Sequence, residues 1–351
     1  MNESAMTGRF KNILITKPSS LGDIVLALPA LRALRLSYPE AKISWLVRPE
    51  FAGLLEYHPH LDEIITFDRK LLGRAWFHPG AFSALMSLIR KLRRSDFDVI
   101  FDFQGLFRTA CLVWLSGCDL RLGMANAREF ATIFYTHKIP QGIESIHMVD
   151  YYLKIIQAAG ASDFGVEFVF PQNPGAEESV GRLLACHGIQ NNYAVLISGS
   201  AHRDKCWPPE RFARLADKIS SQYSLSIVAT GSASESGIVE RLQETANVPI
   251  TSLAGQTSLI ELVALLKSAR LVVSNDTGPG HIAAALGVPL VLIFGRTNPI
   301  RLEPYRRKHC VMAIEPDGRG VTTSNSDPKY DIKNITVEQV YKKITEQLKT
   351  Q

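Results

Sequence analysis

The sequence predicts an α/β protein of two domains, each built on a parallel sheet, and three observations predict it. The chain runs to 351 residues, more than one ordinary hydrophobic core supports. Short apolar runs of strand length alternate along it with stretches of helical periodicity, the pattern of parallel α/β sheets. A break rich in Pro, Gly and polar residues, 170–178 (FPQNPGAEE), falls near the midpoint. The expected division is an N-terminal Rossmann-like domain at 1–168, a linker at 169–178, a C-terminal Rossmann-like domain at 179–333 and a terminal helix at 334–351. Two such domains face each other across a central cleft at the carboxyl ends of their strands, where ligands bind.

In the first half, residues 12–16 (NILIT) read as a buried strand. Ile24, Val25, Leu28, Leu31 and Leu34 then recur at helical spacing. Strands follow at 43–47 and 98–101. The second half repeats the rhythm with strands at 194–198, 226–230, 271–275 and 290–294. Between them Phe212, Leu215 and Ile219 mark one helix. Leu259, Leu262, Val263 and Leu266 mark another, for which Ser258 and Glu261 supply a capping box. Residues 336–349 read as the terminal helix.

Hydrophobic residues at 46% and charged residues at 21% describe a globular chain, neither disordered nor membrane-spanning. Its longest apolar runs, such as 288–294, fall far short of the ~20 residues a membrane span needs. The polar start, 1–11, lacks the apolar core of a signal peptide, so the protein is expected to stay where it is made. Five cysteines form no CxxC pair and are odd in number, which points to reduced thiols rather than disulfides or a zinc site. The net charge of +5 is mild. One stretch, 69–94, is locally basic: Arg69, Lys70, Arg74, Arg90, Lys91, Arg93 and Arg94 occur there without an acid, among Trp76, Phe77 and Phe82. Leu85, Leu88, Ile89 and Leu92 give it one apolar helical face. Nucleic acid would be attracted by it, but an anionic small acceptor or a membrane surface fits equally well, and a solvated helix face explains it too.

Three motifs carry chemistry. Lys17-Pro18-Ser19-Ser20-Leu21-Gly22-Asp23 follows the first strand and opens the first helix, where free N–H groups attract anions. Asp23 there either supports the helix start or, at the cleft floor, takes a proton from an acceptor hydroxyl. Ser274-Asn275-Asp276-Thr277-Gly278-Pro279-Gly280-His281 is again strand, glycine-rich turn and helix. Thr277 and the N–H groups after it suit a diphosphate. Gly278 is expected to press its backbone on that group, by close approach or positive φ. His281 opens the helix. His202-Arg203-Asp204-Lys205-Cys206-Trp207-Pro208 follows a strand, and Lys205 offers a point charge to a departing phosphate. Glu235, just past a strand ending in Thr230-Gly231, is placed as acids are that accept from ribose hydroxyls. Asp96-Phe97-Asp98 spells a metal-binding DxD but sits at the amino end of its strand, away from the cleft. Asp102, at the carboxyl end, is better placed. HExxH, GxSxG and Walker patterns do not occur in the sequence, so a diphosphate is expected to be held without a metal.

Taken in order, SSLGD, DFQGLFR at 102–108, KCWP at 205–208 and SNDTGPGHIAAALGVP at 274–289 resemble the ADP-heptose lipopolysaccharide heptosyltransferases, glycosyltransferase family 9. Ala127-Arg128-Glu129-Phe130, Phe134-Tyr135 and the DFQGL run are more similar to the type I than the type II members. The resemblance implies a GT-B fold and inverting, metal-independent transfer of heptose from ADP-L-glycero-D-manno-heptose, with no cofactor. The implied acceptor is the Kdo region of a Kdo-lipid A type molecule, met at the cytoplasmic face of the inner membrane by a cytoplasmic, peripheral enzyme that binds an anionic membrane surface and no nucleic acid. It makes the N-terminal domain the acceptor half and the C-terminal domain the nucleotide-sugar half. Asp23 then matches the general base. Ser200, Lys205, Glu235, Asp276, Thr277, Gly278 and His281 match the donor site, and Ser20, Arg69, Lys70, Arg74, Asp102, Gln104 and Arg108 are expected on the acceptor side. Ser200 and Ala201 stand where the family often carries two threonines, and Arg296-Thr297-Asn298-Pro299 replaces the usual Pro-Thr-Asp-Pro. A base contributes typically ~10²–10⁴-fold to such a transfer, and domain closure is expected to exclude competing water.

Other readings stay open on the sequence. These are a family 9 transferase with a different acceptor position or nucleotide-sugar, a sugar-nucleotide 2-epimerase acting on donor alone, and a non-catalytic ADP-sugar-binding module.

Overall fold

The computed structural model describes residues 10–349 except 75, 76, 191, 318, 321 and 323, so the polar start at 1–9 and Trp76 lie outside the described residues. The chain separates into two units, Met1–Gln172 and Asn173–Gln351. In the first, β1 (Asn12–Thr16), β2 (Lys42–Val47), β3 (Glu63–Thr66), β4 (Val99–Asp102), β5 (Arg121–Met124) and β6 (His137–Ile139) form a parallel sheet. Their order is β3-β2-β1-β4-β5-β6. In the second, β7 (Tyr193–Ile197), β8 (Ser226–Ala229), β9 (Ile250–Ser252), β10 (Leu271–Asn275), β11 (Leu290–Ile293) and β12 (Val311–Met312) do the same. The order β12-β11-β10-β7-β8-β9 is the same topology read from the other edge. Both sheets are the doubly wound Rossmann arrangement.

The sequence explains why the central strands are central. β7 and β10 are buried at every residue, as continuous apolar runs require of strands covered on both faces. In the first unit Leu14, Leu46, Ile65 and Ile100 pack against Leu88, Ile89 and Leu92 of the helix Pro79–Arg94. In the second, Phe212, Leu215 and Ile219 of the helix Pro209–Tyr223 join Val340 and Ile344 of the terminal helix Val337–Lys349 over the sheet.

Two expected boundaries move. Residues 174–178 of the expected linker are the first turn of the helix Pro174–Cys186: Asn173 caps it by accepting the Ala176 N–H at 2.9 Å, and Pro174 takes the first helical position. Asn-Pro-Gly reads as a turn in sequence, but it serves here as a helix start. The strand expected at 98–101 begins at Val99, because the Asp98 carboxylate accepts the N–H groups of Lys11 at 2.6 Å and Asn12 at 2.8 Å. The DxD run is thus taken up at the amino edge of the sheet.

Candidate active site

In a doubly wound sheet ligands bind where strand order reverses, at the carboxyl ends of the two strands flanking that point. The reversal in the first unit lies between β1 and β4, which pair with Thr16 opposite Asp102. The loop leaving β1 runs through Lys17 and Ser20 into the helix Leu21–Ser37. Asp23, in its first turn, accepts the Ser20 N–H at 3.1 Å and the Ser20 hydroxyl at 2.8 Å, so the supporting role weighed for it is filled. Its side chain remains 29% exposed, with Lys17 Nζ at 3.7 Å. Lys17 itself is buried and donates to the Phe103 carbonyl at 3.2 Å. Burial lowers its pKa against the opposing pull of Asp23 and Asp102. The two loops are tied where the Ser19 N–H donates to Gln104 Oε1 at 3.3 Å.

Asp102, expected among the acceptor contacts, has its oxygens engaged within the fold. It is fully buried, and four donors occupy its oxygens: the N–H groups of Gln104 at 2.8 Å and Gly105 at 3.3 Å, and the hydroxyls of Thr109 at 3.2 Å and Tyr135 at 2.8 Å. Burial raises its pKa against these four donors. Asp102 therefore shapes the turn that presents its neighbours. Gly105 completes that turn at φ 65°, where a β-carbon would also sit 2.7 Å from Met124 Cε. Gln104 is half-buried and Arg108 exposed beyond it. Lys17 and Tyr135 carry geometry for which sequence reasoning named no role. Lys17 precedes a motif already singled out, whereas nothing in the sequence links Tyr135 to Asp102.

The basic stretch does not form one surface. Arg69, Lys70 and Arg74 are exposed just past β3, at the carboxyl edge, in and after a short turn capped by Asp68. Arg90, Lys91 and Arg94 lie at the other end of the sheet, where with Lys42 and Glu63 they line a cavity of ≈ 440 Å³. There Glu63 pairs with Lys91 and Lys42, each at 2.7 Å.

In the second unit the order reverses between β7 and β10. Asn275 ends β10 and locks the loop after β7, accepting the Trp207 N–H at 3.1 Å and donating to the Ser198 carbonyl at 2.8 Å. This places Lys205 Nζ 2.6 Å from Asp276 Oδ2, while His281 Nε2 meets Asp276 Oδ1 at 3.2 Å. Burial would raise the Asp276 pKa, but the His281 hydrogen bond and the Lys205 charge more than offset it and hold the carboxyl at about 2. Asp276, with both oxygens engaged, thus fixes the two side chains around it. With Nε2 committed, His281 keeps a buried Nδ1 without a hydrogen-bond partner among the described residues. The buried hydroxyls of Ser198 and Thr16, at the reversal points of the two sheets, are also unpartnered.

Thr277 precedes the helix Gly278–Ala285, and its hydroxyl turns to Ser274 at 3.2 Å rather than capping the first turn. The N–H groups of that turn lack intrahelical acceptors and favour an anion. Gly278 is an ordinary first helical residue, so the positive φ considered for it does not occur. The tight glycine is Gly280, where a β-carbon would stand 2.5 Å from Leu292 Cδ1 and 2.7 Å from Ser274 Oγ. Ser200 accepts the His202 N–H at 3.3 Å and so shapes the Lys205 loop. The Glu235 carboxylate accepts the N–H and hydroxyl of Ser232, each at 2.7 Å, and lies against Gly199 at the end of the neighbouring strand. Thr297 and Asn298 are buried, and Asn298 caps the turn Pro299–Arg301.

These observations agree with what the chain is similar to. A model of glycosyltransferase family 9 (heptosyltransferase) matches residues 85–330. Lipopolysaccharide heptosyltransferase 3 of Escherichia coli strain K12 is 26% identical over 289 residues, 81% of this chain and 82% of that one. Lipopolysaccharide heptosyltransferase 1 of Salmonella typhimurium strain LT2 is 28% identical over 291 residues, 82% of this chain and 89% of its own. Among solved structures, E. coli heptosyltransferase WaaC with ADP-2-deoxy-2-fluoro heptose shares the GT-B fold at a TM-score of 0.75 and 24% identity, over 95% of this chain and 99% of that one.

Proposed function

The chain belongs to glycosyltransferase family 9 and is a glycosyltransferase, and we propose that it transfers heptose from ADP-L-glycero-D-manno-heptose to the Kdo region of the lipopolysaccharide inner core, with inversion and without a metal. The observation that carries this reading is the arrangement after β10. A cation, Lys205, is held beside the open first turn of the helix Gly278–Ala285 by a buried carboxylate. That is a site built for the diphosphate of a leaving nucleotide. The relative WaaC was solved with an ADP-heptose analogue, which supports the same donor here.

In the reaction Asp23 accepts the proton of an acceptor hydroxyl as its oxygen attacks the anomeric carbon of heptose. The bond from that carbon to the diphosphate breaks, and ADP leaves with its negative charge on Lys205 and the N–H groups after Thr277. Glu235 accepts from the ribose hydroxyls, and His281, whose Nδ1 has no hydrogen-bond partner among the described residues, completes the donor site. Arg69, Lys70, Arg74 and Arg108, with Ser20 and Gln104 beside Asp23, receive the carboxylates and hydroxyls of the acceptor. Metal independence is supported by Asp276 and Asp102, whose oxygens are already engaged by protein donors. The enzyme works at the cytoplasmic face of the inner membrane, against an anionic bilayer. Among the described residues no helix is long and apolar enough to cross it.

The test is mass spectrometry after incubating the protein with ADP-heptose and Kdo₂-lipid A, with and without EDTA. One added heptose in both arms is the expected product. Transfer abolished by EDTA and restored by a divalent cation would overturn the metal-free reading, and epimerised donor with unmodified lipid would overturn the transferase reading.

A further inference from the structure

The helix Phe107–Leu115 and the turn Ala131–Phe134 of the first unit leave large apolar side chains in water. Phe130 is 80% exposed, Ile133 66%, Trp114 51% and Phe107 44%. They are not scattered. Phe134 stands edge-on to Phe107 at 5.3 Å and beside Trp114 at 5.9 Å, so helix and turn share one ring cluster. Beneath it Ala110, Ala131 and Tyr135 form a small core, and Tyr135 anchors the turn to Asp102. Phe130 holds its outward position at φ 59°, a left-handed conformation unfavourable for a bulky residue. The rim is basic. Arg108 and Arg128 are exposed, and the Arg93 guanidinium donates to the Leu115 carbonyl at 2.8 Å, which brings a third exposed cation to the end of the aromatic helix.

We propose that this surface docks the enzyme on an anionic lipid bilayer, with Phe107, Trp114, Phe130 and Ile133 in the headgroup layer and Arg93 and Arg128 on lipid phosphates. Isolated exposed apolar residues need no explanation, but a contiguous patch with a polar rim marks an interaction site. Aromatic rings favour the bilayer interface, and basic residues near it are drawn to anionic lipid. A second copy of the chain is the poorer occupant. Two-fold pairing would set a rim of three arginines and one acid, Glu129, against its own copy, with an excess of like charge. The surface deepens the membrane partner named above and rests on that reading only for its purpose. The helix it uses begins at the turn carrying Gln104, so docking would bring the acceptor loop to the lipid.

The test uses the full chain in co-sedimentation with vesicles of phosphatidylethanolamine and phosphatidylglycerol in equal parts, and with pure phosphatidylcholine vesicles. The double variant Phe130→Ser/Ile133→Ser should bind the anionic vesicles about tenfold or more weakly than wild type, and added salt should weaken wild type. Turnover of a deacylated, water-soluble acceptor should be unchanged in the variant. Arg128→Glu supplies a second probe that leaves the apolar patch whole, should the double variant not fold. Vesicle binding equal to wild type in the folded variants would overturn the proposal. So would a wild-type dimer that the double variant dissolves without change in vesicle binding. Lipid-dependent binding in the absence of any transfer would support the surface while overturning the function proposed above.

Discussion

Replacing Lys205 with alanine separates the support it gives Asp276 from the proposed contact with the donor diphosphate. Its ammonium lies 2.6 Å from Asp276 Oδ2 and its side chain is 28% exposed, so it supports a buried carboxylate and still reaches water. The first task is structural. Against burial, which would raise it, Asp276 is held at about 2, below an ordinary 3.8, by the His281 hydrogen bond and the Lys205 charge. Losing the Lys205 charge beside a buried carboxylate should destabilise the second domain at neutral pH, where Asp276 is ionised. The second task is the proposed ligand binding. A charge-assisted hydrogen bond to the diphosphate is worth about 1.5–3 kcal/mol, so ADP should bind roughly 10- to 150-fold more weakly. Adenosine, which lacks the phosphates, should bind as it does to wild type. Calorimetric titration with both ligands, alongside urea unfolding, reads the two effects apart. Equal losses for ADP and adenosine would mean that the loop has merely collapsed. An unchanged ADP affinity in a folded variant would refute the phosphate assignment.

Gly280→Ala should destabilise the protein by about 1–3 kcal/mol and weaken ADP binding, because its β-carbon would meet Leu292 at 2.5 Å and force the helix off the sheet; the denaturation midpoint checks it. Reversing Arg69, Lys70 and Arg74 to Glu should raise the acceptor KM and leave the ADP-heptose KM alone, and added salt should mimic the variant over a Debye length of ~8 Å at physiological salt. His58 is buried, bonded to the Val169 carbonyl at 2.9 Å, and burial lowers its pKa from 6.5 to about 4. An unfolded chain therefore binds a proton in that window which the folded one refuses. The stability tied to neutral His58 is complete above pH 6.5 and is lost as pH falls through about 4, a change of about 3 kcal/mol. Unfolding curves of His58→Gln should lack that part of the slope, and identical slopes would contradict the assignment.

Much of the fold could be read from the sequence because parallel strands covered on both faces leave uninterrupted apolar runs. The bounds expected for β1 and β10 coincide with the observed Asn12–Thr16 and Leu271–Asn275. Strand order and helix caps are less visible. Asn173-Pro174-Gly175 has one local chemistry for turn and helix start, and only the packing of Val180 and Leu184 decides between them. Loop motifs marked both reversal points, because glycine-rich turns and helix starts at strand ends carry their own residue types. What the sequence hid were partners distant along the chain. Tyr135 takes an oxygen of Asp102 across 33 positions, and Lys205 finds Asp276 across 71. The basic stretch misled for a related reason. Composition is blind to helix direction, and the helix Pro79–Arg94 carries Arg90 and Arg94 to the edge opposite Arg69 and Arg74.

The proposed role of Asp23 is that of the base in the heptosyl transfer. Its most direct measurement is the transfer rate of Asp23→Ala with ADP-heptose and Kdo₂-lipid A, beside the ADP affinity of the same variant. The expected rate is lower by about 10²–10⁴ with ADP binding intact. Transfer near the wild-type rate in the folded variant would contradict it.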